Sequence, residues 1–353
     1  MRKHYVGMDV HQASTTLAVI NEQGKLTSES LVETKAQTII DFLKGLRGEV
    51  HVTFEEGTQA AWLYDIIRPH VTKLVVCNPH HNHLLKSGNK SDRADARKLA
   101  QLLRVGMLRP VYHGEQGMRT LKELVRSYEC LVADTSRVKN RIKAIYRGRG
   151  VRPSGRAVYQ ASQRELWLRQ IESAGLRTRA ELLYRQLDQL QLLRREAKRA
   201  MLKESRQQAV TKLLQQIPEL GPVRIAQIIA TVGTPHRFRT KRQFWSYIGL
   251  AVVTRSSDDY RLVNNRMQKR RLAAQNRGLN RNYNHRLKSV FKAAALGAAH
   301  SDAYREYYER LVTAGIRAEL ARLTLARKLA ATVLAVWKSS ESFTVEKVML
   351  QAA

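Results

Sequence analysis

Tyr5-Val6-Gly7-Met8-Asp9-Val10 and, after a gap of three residues, Ser14-Thr15-Thr16-Leu17-Ala18-Val19-Ile20 open the chain with two runs rich in strand-forming residues. Asn21-Glu22-Gln23-Gly24-Lys25 supplies turn chemistry, and a third run over 27–33 follows it. Three strands joined by short turns predict an antiparallel meander. Beyond it the pattern predicts a helix over 36–46, a strand over 50–54, a helix over 58–70 and a strand over 73–77. A polar stretch, Lys86-Ser87-Gly88-Asn89-Lys90, then leads to a helix over 91–105. Strands one, four and five are short and β-branched with helices between them, as a partly parallel sheet covered on both faces requires.

The order βββ-α-β-α-β-α is that of an α/β RNase H-like domain, expected over residues 1–110. A helical coiled-coil region is expected over 111–211, serving as linker and oligomerisation arm. Within it Leu176, Ala180, Leu183, Leu187, Leu190, Leu193, Ala197 and Met201 recur at intervals of three or four, one stripe of a long amphipathic helix. Gly148, Gly150 and Pro153 divide this region into two long helices. Residues 212–353 read as a mostly α C-terminal domain with helices over 223–232, 242–248, 282–299, 301–314 and 317–337. A polar, irregular stretch rich in Ser, Asn and Arg separates the second of these from the third.

Charge narrows the function. The chain has 62 Lys and Arg against 30 Asp and Glu, a formal net charge of +32. Up to Pro110 there are 15 basic and 11 acidic residues, so most of the excess lies behind the first domain. Such an excess repels itself until a polyanion offsets it, and nucleic acid is the leading candidate over an anionic membrane surface. No run of ~18 apolar residues and no secretory h-region is present. With only Cys77 and Cys130, the expectation is a cytoplasmic, nucleoid-associated protein with no membrane partner and no cysteine-based zinc module.

Four carboxylates stand out. Asp9 lies inside the first strand, a poor place for a charge unless it is paired or metal-bound. Glu55 directly follows the fourth strand, with Glu56 beside it, and spacing leaves open which of the two turns inward. Asp92 and Asp95, three apart, share one face of a helix. Several carboxylates converging on one point suit Mg²⁺, a hard cation that prefers oxygen ligands. The plainer alternatives are a turn-forming aspartate at Asp9 and a helix cap at Asp92.

Tyr-Val-Gly-Met-Asp-Val at 5–10, Phe-Glu-Glu-Gly-Thr at 54–58 and Ser-Asp-Arg-Ala-Asp-Ala-Arg at 91–97 resemble the DEDD transposases of insertion sequences, the IS-one-ten family. Its members resemble the Holliday-junction resolvase RuvC in this domain. The resemblance places the family's acidic residues on Asp9, Glu55, Asp92 and Asp95, and implies Mg²⁺, with two ions, as the cofactor. Phe244-Trp245-Ser246-Tyr247-Ile248-Gly249-Leu250 is similar to the segment that precedes the family's serine. Counting forward places that serine on Ser257, with Ser256 adjacent. The resemblance implies a covalent phosphoserine link to DNA and a composite site of carboxylates and serine. It further implies guidance by a structured noncoding bridge RNA, and dimers that pair into a tetramer acting on donor and target double-stranded DNA. The chain departs from relatives in following the serine with Asp258-Asp259-Tyr260.

Ile217-Pro218-Glu219-Leu220-Gly221-Pro222-Val223 resembles a helix-hairpin-helix turn, in which helix-start N–H groups grip a phosphate. Gly221 is read as the residue that permits the tight turn, and Pro222 suits a first helical position. An ordinary connection between packed helices remains the alternative. Arg237, Arg239, Lys241, Arg242, Arg266, Lys269, Arg270 and Arg271 are expected phosphate contacts. Asn78-Pro79-His80-His81-Asn82-His83 is read as a solvated or phosphate-contacting loop in preference to a zinc site, and no nucleotide-binding glycine motif is present. Two rivals remain: a structure-selective nuclease that uses water and needs no serine, and a non-catalytic nucleic-acid-binding protein.

Overall fold

The computed structural model describes residues 2–79, 91–111, 116–255, 260–263, 266–269 and 275–345. Ser256, Ser257, Arg270, Arg271 and the histidines at 80, 81 and 83 lie outside the described residues. The chain divides into two compact units, Met1–His113 and Gly114–Ala353.

The first unit is built on β1 (Lys3–Val10), β2 (Ser14–Ile20), β3 (Leu26–Glu33), α1 (Ala36–Lys44), β4 (Glu49–Glu55), α2 (Ala60–Ile67), β5 (Lys73–Cys77) and α3 (Asp92–Arg104). Its five strands form one mixed sheet in the order β3-β2-β1-β4-β5. The meander pairs antiparallel, whereas β4 is parallel to β1 and β5 to β4. This is the connectivity expected from the sequence and is consistent with an RNase H-like domain. The second helix is shorter than expected: Pro69 has no N–H to donate, and the chain from Arg68 to His70 tightens into a 3-10 turn.

Strand alternation divides the sheet into two chemically different faces. Val6, Met8, Leu17, Val19, Val52 and Phe54 point to one face and pack with Ile39 and Leu43 of α1 and Leu63 and Ile67 of α2. The opposite face carries small residues in one cross-strand row: Ala18 and Thr53 flank Gly7. Here α3 lies almost backbone to backbone on the sheet. A Cβ added at Gly7 would fall 2.1 Å from the Ala96 carbonyl oxygen and 2.5 Å from the Ala100 nitrogen. Polar ties hold the outer side of the helix. Arg97 pairs with Glu29 of β3, its Nε at 3.1 Å, and Gln101 Nε2 donates to the Gly24 carbonyl at 2.8 Å.

The second unit is mainly helical: α4 (Gln116–Arg147), α5 (Arg164–Leu168), α6 (Ala174–Gln207), α7 (Ala209–Leu214), α8 (Pro222–Val232), α9 (Lys241–Tyr247), then α10 (His285–Ala298), α11 (Arg305–Thr313) and α12 (Ala318–Ser339). The stripe expected on α6 is partly spent inside the chain. Ala180 and Leu187 are buried with Val138, Ile142 and Tyr146 of α4, whereas Leu193 is about half exposed. The Tyr146 and Tyr184 hydroxyls meet at 3.0 Å in the same cluster. Further along, Leu121 and Val125 of α4 and Met201 of α6 enter a second core built on α8, α10 and α12. The stretch between α9 and α10, expected to be irregular, instead contains β6 (Val252–Arg255), β7 (Tyr260–Val263), β8 (Arg266–Lys269) and β9 (Gln275–Leu279). They pair antiparallel as β6 with β9 and β7 with β8. A two-stranded ribbon is held by hydrogen bonds from backbone to backbone, so its sequence needs no apolar alternation. Among the described residues no helix is long and apolar enough to cross a membrane.

The contact at Gly7 has a direct test. Gly7→Val should destabilise the protein by about 1–3 kcal/mol through forced separation of α3 from the sheet. Gly175→Ala, where an added Cβ meets nothing within 4 Å, serves as control. Urea denaturation of both variants checks it, and equal stabilities would contradict the close approach.

Candidate metal centre

Three of the four carboxylates singled out in the sequence are brought together where β1 ends against the first turn of α3. Asp9, half-buried near the end of β1, has the carboxylates of Asp92 and Asp95 close enough to act on its own charge. Ser91, not Asp92, caps the helix: its side chain accepts from the Ala94 N–H at 3.2 Å. Both acidic residues of the first turn are thereby left out of capping.

His11, which the sequence reading passed over, completes the group. Its Nε2 lies 3.4 Å from Asp9 Oδ2 and 3.6 Å from Asp92 Oδ2, and one donor atom each from Asp9, His11 and Asp92 lies within 4.8 Å of the others. The signal was present as Asp9-Val10-His11: a spacing of two at a strand end keeps both side chains on one side.

Glu55 stands one step beyond the Met8–Phe54 pair, level with Asp9. Strand alternation assigns it to the α3 face, with Glu56 on the other; the Glu56 N–H still joins the ladder, at 2.8 Å from the Cys77 carbonyl. Glu55 is not part of the compact group formed by Asp9, His11 and Asp92.

Electrostatics favour a cation at this place. Burial pushes the Asp9 carboxyl above the usual carboxylate range; the charges of Asp92 and Asp95 add to that push, and His11 opposes it. Asp95 Oδ1 is buried and accepts no hydrogen bond, though Lys98 Nζ forms an ion pair with it at 3.7 Å. An unbonded buried carboxylate oxygen beside two further carboxylates and an imidazole is a donor set that fits a divalent metal ion.

The basic residues chosen from the sequence fare differently. Arg237 is engaged internally, donating to the Val232 carbonyl at 3.0 Å at the end of α8 and lying over the Tyr247 ring at 5.0 Å. Arg239, Lys241, Arg242 and Arg266 are exposed, and Lys269 falls on β8. Gly221 caps α8 with φ −66, a value open to any residue. The left-handed residue of that turn is Glu219 at φ 66, so the tight turn depends on Glu219 and not on Gly221. Its carbonyl accepts from Arg224 at 2.7 Å, which helps hold the unfavourable conformation.

A mixed-sheet α/β unit carrying Asp9, His11, Asp92 and Asp95 at the end of its central strand, followed by a mostly helical unit, defines the class. Residues 6–148 match a DEDD transposase family model of the IS110 group, and residues 211–309 match the model described as the transposase IS116/IS110/IS902 family. The chain belongs to the IS110 family of transposases. It is also similar to the transposase for insertion sequence element IS1533 of Leptospira borgpetersenii, at 27% identity over 151 residues. That alignment covers 40% of this chain and 42% of the relative.

Because its folded-state titration is raised, the ionised Asp9 carboxylate opposes folding at neutral pH, and that opposition fades as pH falls through its titration. In the presence of a chelator at neutral pH, Asp9→Asn should therefore melt above the wild type, with the gap closing on acidification. A divalent cation at about a hundred times its dissociation constant should stabilise the wild type by about 2.7 kcal/mol and the variant far less. Equal metal-induced shifts in the two proteins, read by calorimetry, would remove Asp9 from the site.

Proposed function

We propose that the protein is a DNA transposase of the insertion-sequence type that cuts and rejoins phosphodiesters through a serine-linked intermediate. The observation carrying this reading is the meeting of Asp9, His11 and Asp92, with the Asp95 oxygen that accepts no hydrogen bond beside them, at the end of the central strand of an α/β sheet in a chain of this family. Asp9, Asp92 and Asp95, with Glu55 from the neighbouring strand, would hold Mg²⁺, most suitably two ions. Bound there, the metal supplies Lewis-acid stabilisation of charge on phosphoryl oxygens.

Ser257 is the proposed nucleophile. Its Oγ loses a proton and bonds to phosphorus while the bond from phosphorus to one deoxyribose oxygen breaks, and that oxygen leaves as a hydroxyl. Rejoining reverses the step with a hydroxyl from another strand, so the phosphodiester energy is conserved and no nucleotide cofactor is needed. His11, close to both Asp9 and Asp92, orients them. The excess positive charge of the second unit supports a large polyanionic partner. The family likeness extends the proposal to a structured guide RNA and to dimers that pair into tetramers, with the exposed part of the α6 stripe as one contact. Double-stranded donor and target DNA are the proposed substrates.

A labelled DNA substrate incubated with protein and Mg²⁺ should yield an adduct that survives denaturation, lost in Ser257→Ala and in Asp9→Asn. Cleavage undiminished in Ser257→Ala would instead establish a water-using nuclease. Sequencing of RNA that copurifies with the protein should recover one defined structured species; a random population would refute RNA guidance.

A further inference from the structure

A buried lysine in the second unit has no counter-charge. Lys328 of α12 is only 7% exposed, and its Nζ is buried without a hydrogen-bond partner. The nearest aromatic face is Tyr307 of α11, with its ring centroid 5.7 Å from the Lys328 Nζ. Arg310 lies over the same ring, its Cζ 5.8 Å from the centroid. Lys241, at the start of α9, reaches over the Trp245 ring at 5.8 Å. Trp245 Nε1 in turn donates to the Arg327 carbonyl at 2.9 Å, which fixes α9 beside α12.

The charges acting on Lys328 are all positive. Burial pushes its ammonium below the usual lysine range, and Lys241 and then Arg310 push it further in the same direction. Among the described residues none of these three side chains has a carboxylate within ion-pair distance. An unpaired polar group in such a position is costly to leave unbonded, and two exposed cations beside it raise that cost. The missing component is an anion with several acceptor oxygens. In a chain of net charge +32, the polyanion that supplies such groups in series is a nucleic-acid backbone.

We propose that Lys241, Arg310 and Lys328 form a phosphate seat that holds one backbone phosphodiester of a bound nucleic acid. Lys241 and Arg310, both exposed, meet the phosphate directly. Lys328 lies beneath them and adds a third positive charge where solvent screens poorly. Tyr307 is the floor that keeps the buried amine and Arg310 together. The seat lies entirely within the second unit and depends on neither the metal centre nor Ser257.

The test uses the whole chain with a chelator present, so that binding is measured without cleavage. Anisotropy of a short labelled duplex is followed across a range of salt, once with DNA and once with RNA of the same sequence. Lys241→Ala and Arg310→Ala should each lower the slope of log K against log salt by about 1 for the polymer that uses the seat. Lys328→Met should weaken the same complex several-fold while raising the melting temperature of the free protein, because a buried unpaired cation has been removed. Unchanged slopes in both surface variants overturn the proposal. So does a Lys328→Met protein that melts lower and binds normally, which would make the lysine a packing element. Loss of binding to polyglutamate, with both duplexes unaffected, would assign the seat to an acidic protein and overturn it equally. Because no metal is present, failure here leaves the reading of the acidic centre standing, and loss of the serine adduct leaves this one standing.

Discussion

At Gly7 the backbone of β1 meets the backbone of α3 with no side chain between them, and the acidic centre depends on that contact. Glycine inside a strand is unfavourable by roughly 0.5–1 kcal/mol relative to alanine. What it permits is a helix seated so low that its first turn arrives level with the end of β1. The neighbours cooperate: Ala18 and Thr53 flank Gly7 across the sheet, and Ala96 and Ala100 face them from the helix, both fully buried. A bulky residue in this row would lift α3 and carry Asp92 and Asp95 away from Asp9. The polar ties at Glu29 and Gly24 act at the other side and along the length of the helix, so the seat is fixed in register as well as in depth.

That rigidity matters because the groups it assembles repel one another. Carboxylates on flexible loops would relax apart and recover their hydration. Held by a strand end and a helix start, Asp9, Asp92 and Asp95 cannot, and the Asp9 carboxyl, raised first by its burial, is raised further by the charges of the other two. Preorganisation of this kind moves the reorganisation cost from the moment of ligand binding to folding. The capping serine contributes in the same sense. By taking the Ala94 N–H itself, Ser91 leaves both first-turn carboxylates for the centre while the positive end of the helix dipole still favours them.

Most of the first unit was legible in the sequence because each strand carries either β-branched runs or a turn of defined chemistry beside it. Asp9 was legible as a charge inside an apolar strand. His11 was not: it sits just beyond the strand, and only its spacing from a residue already suspected gives it meaning. The choice between Glu55 and Glu56 needed the β1–β4 register, since adjacent positions differ only in the face they take. On α6 the apolar stripe was read as one face of an amphipathic oligomerisation helix, but periodicity does not say whether the covering helix belongs to the same chain. Here α4 supplies much of it. The β-ribbon between α9 and α10 left no trace because its hydrogen bonds are backbone to backbone and Val252 and Met267 remain exposed. Arg237 shows the converse error: a cation in a basic run that the fold spends on the carbonyl end of α8.

Two of the buried side-chain atoms that lack a hydrogen-bond partner bear on the two proposed ligands. One is an acceptor of the first unit, Asp95 Oδ1; the other is a cation of the second, Lys328 Nζ. Neither arises from a shortage of opposite charge nearby in the chain, since Arg93, Arg97 and Lys98 surround Asp95 in sequence and Glu306, Glu309 and Glu319 stand near the second group. In the first case two of the three bases turn to Glu29, and only Lys98 pairs with Asp95 among the salt bridges of the described residues, at 3.7 Å. A centre meant for a cation gains where its basic neighbours are drawn elsewhere, as Arg93 and Arg97 are to Glu29, and a seat meant for a phosphate gains where carboxylates stay away. The near-neutral front and strongly basic rear are the composition-level counterpart of that requirement. Each unit presents a charge that its proposed ligand would offset.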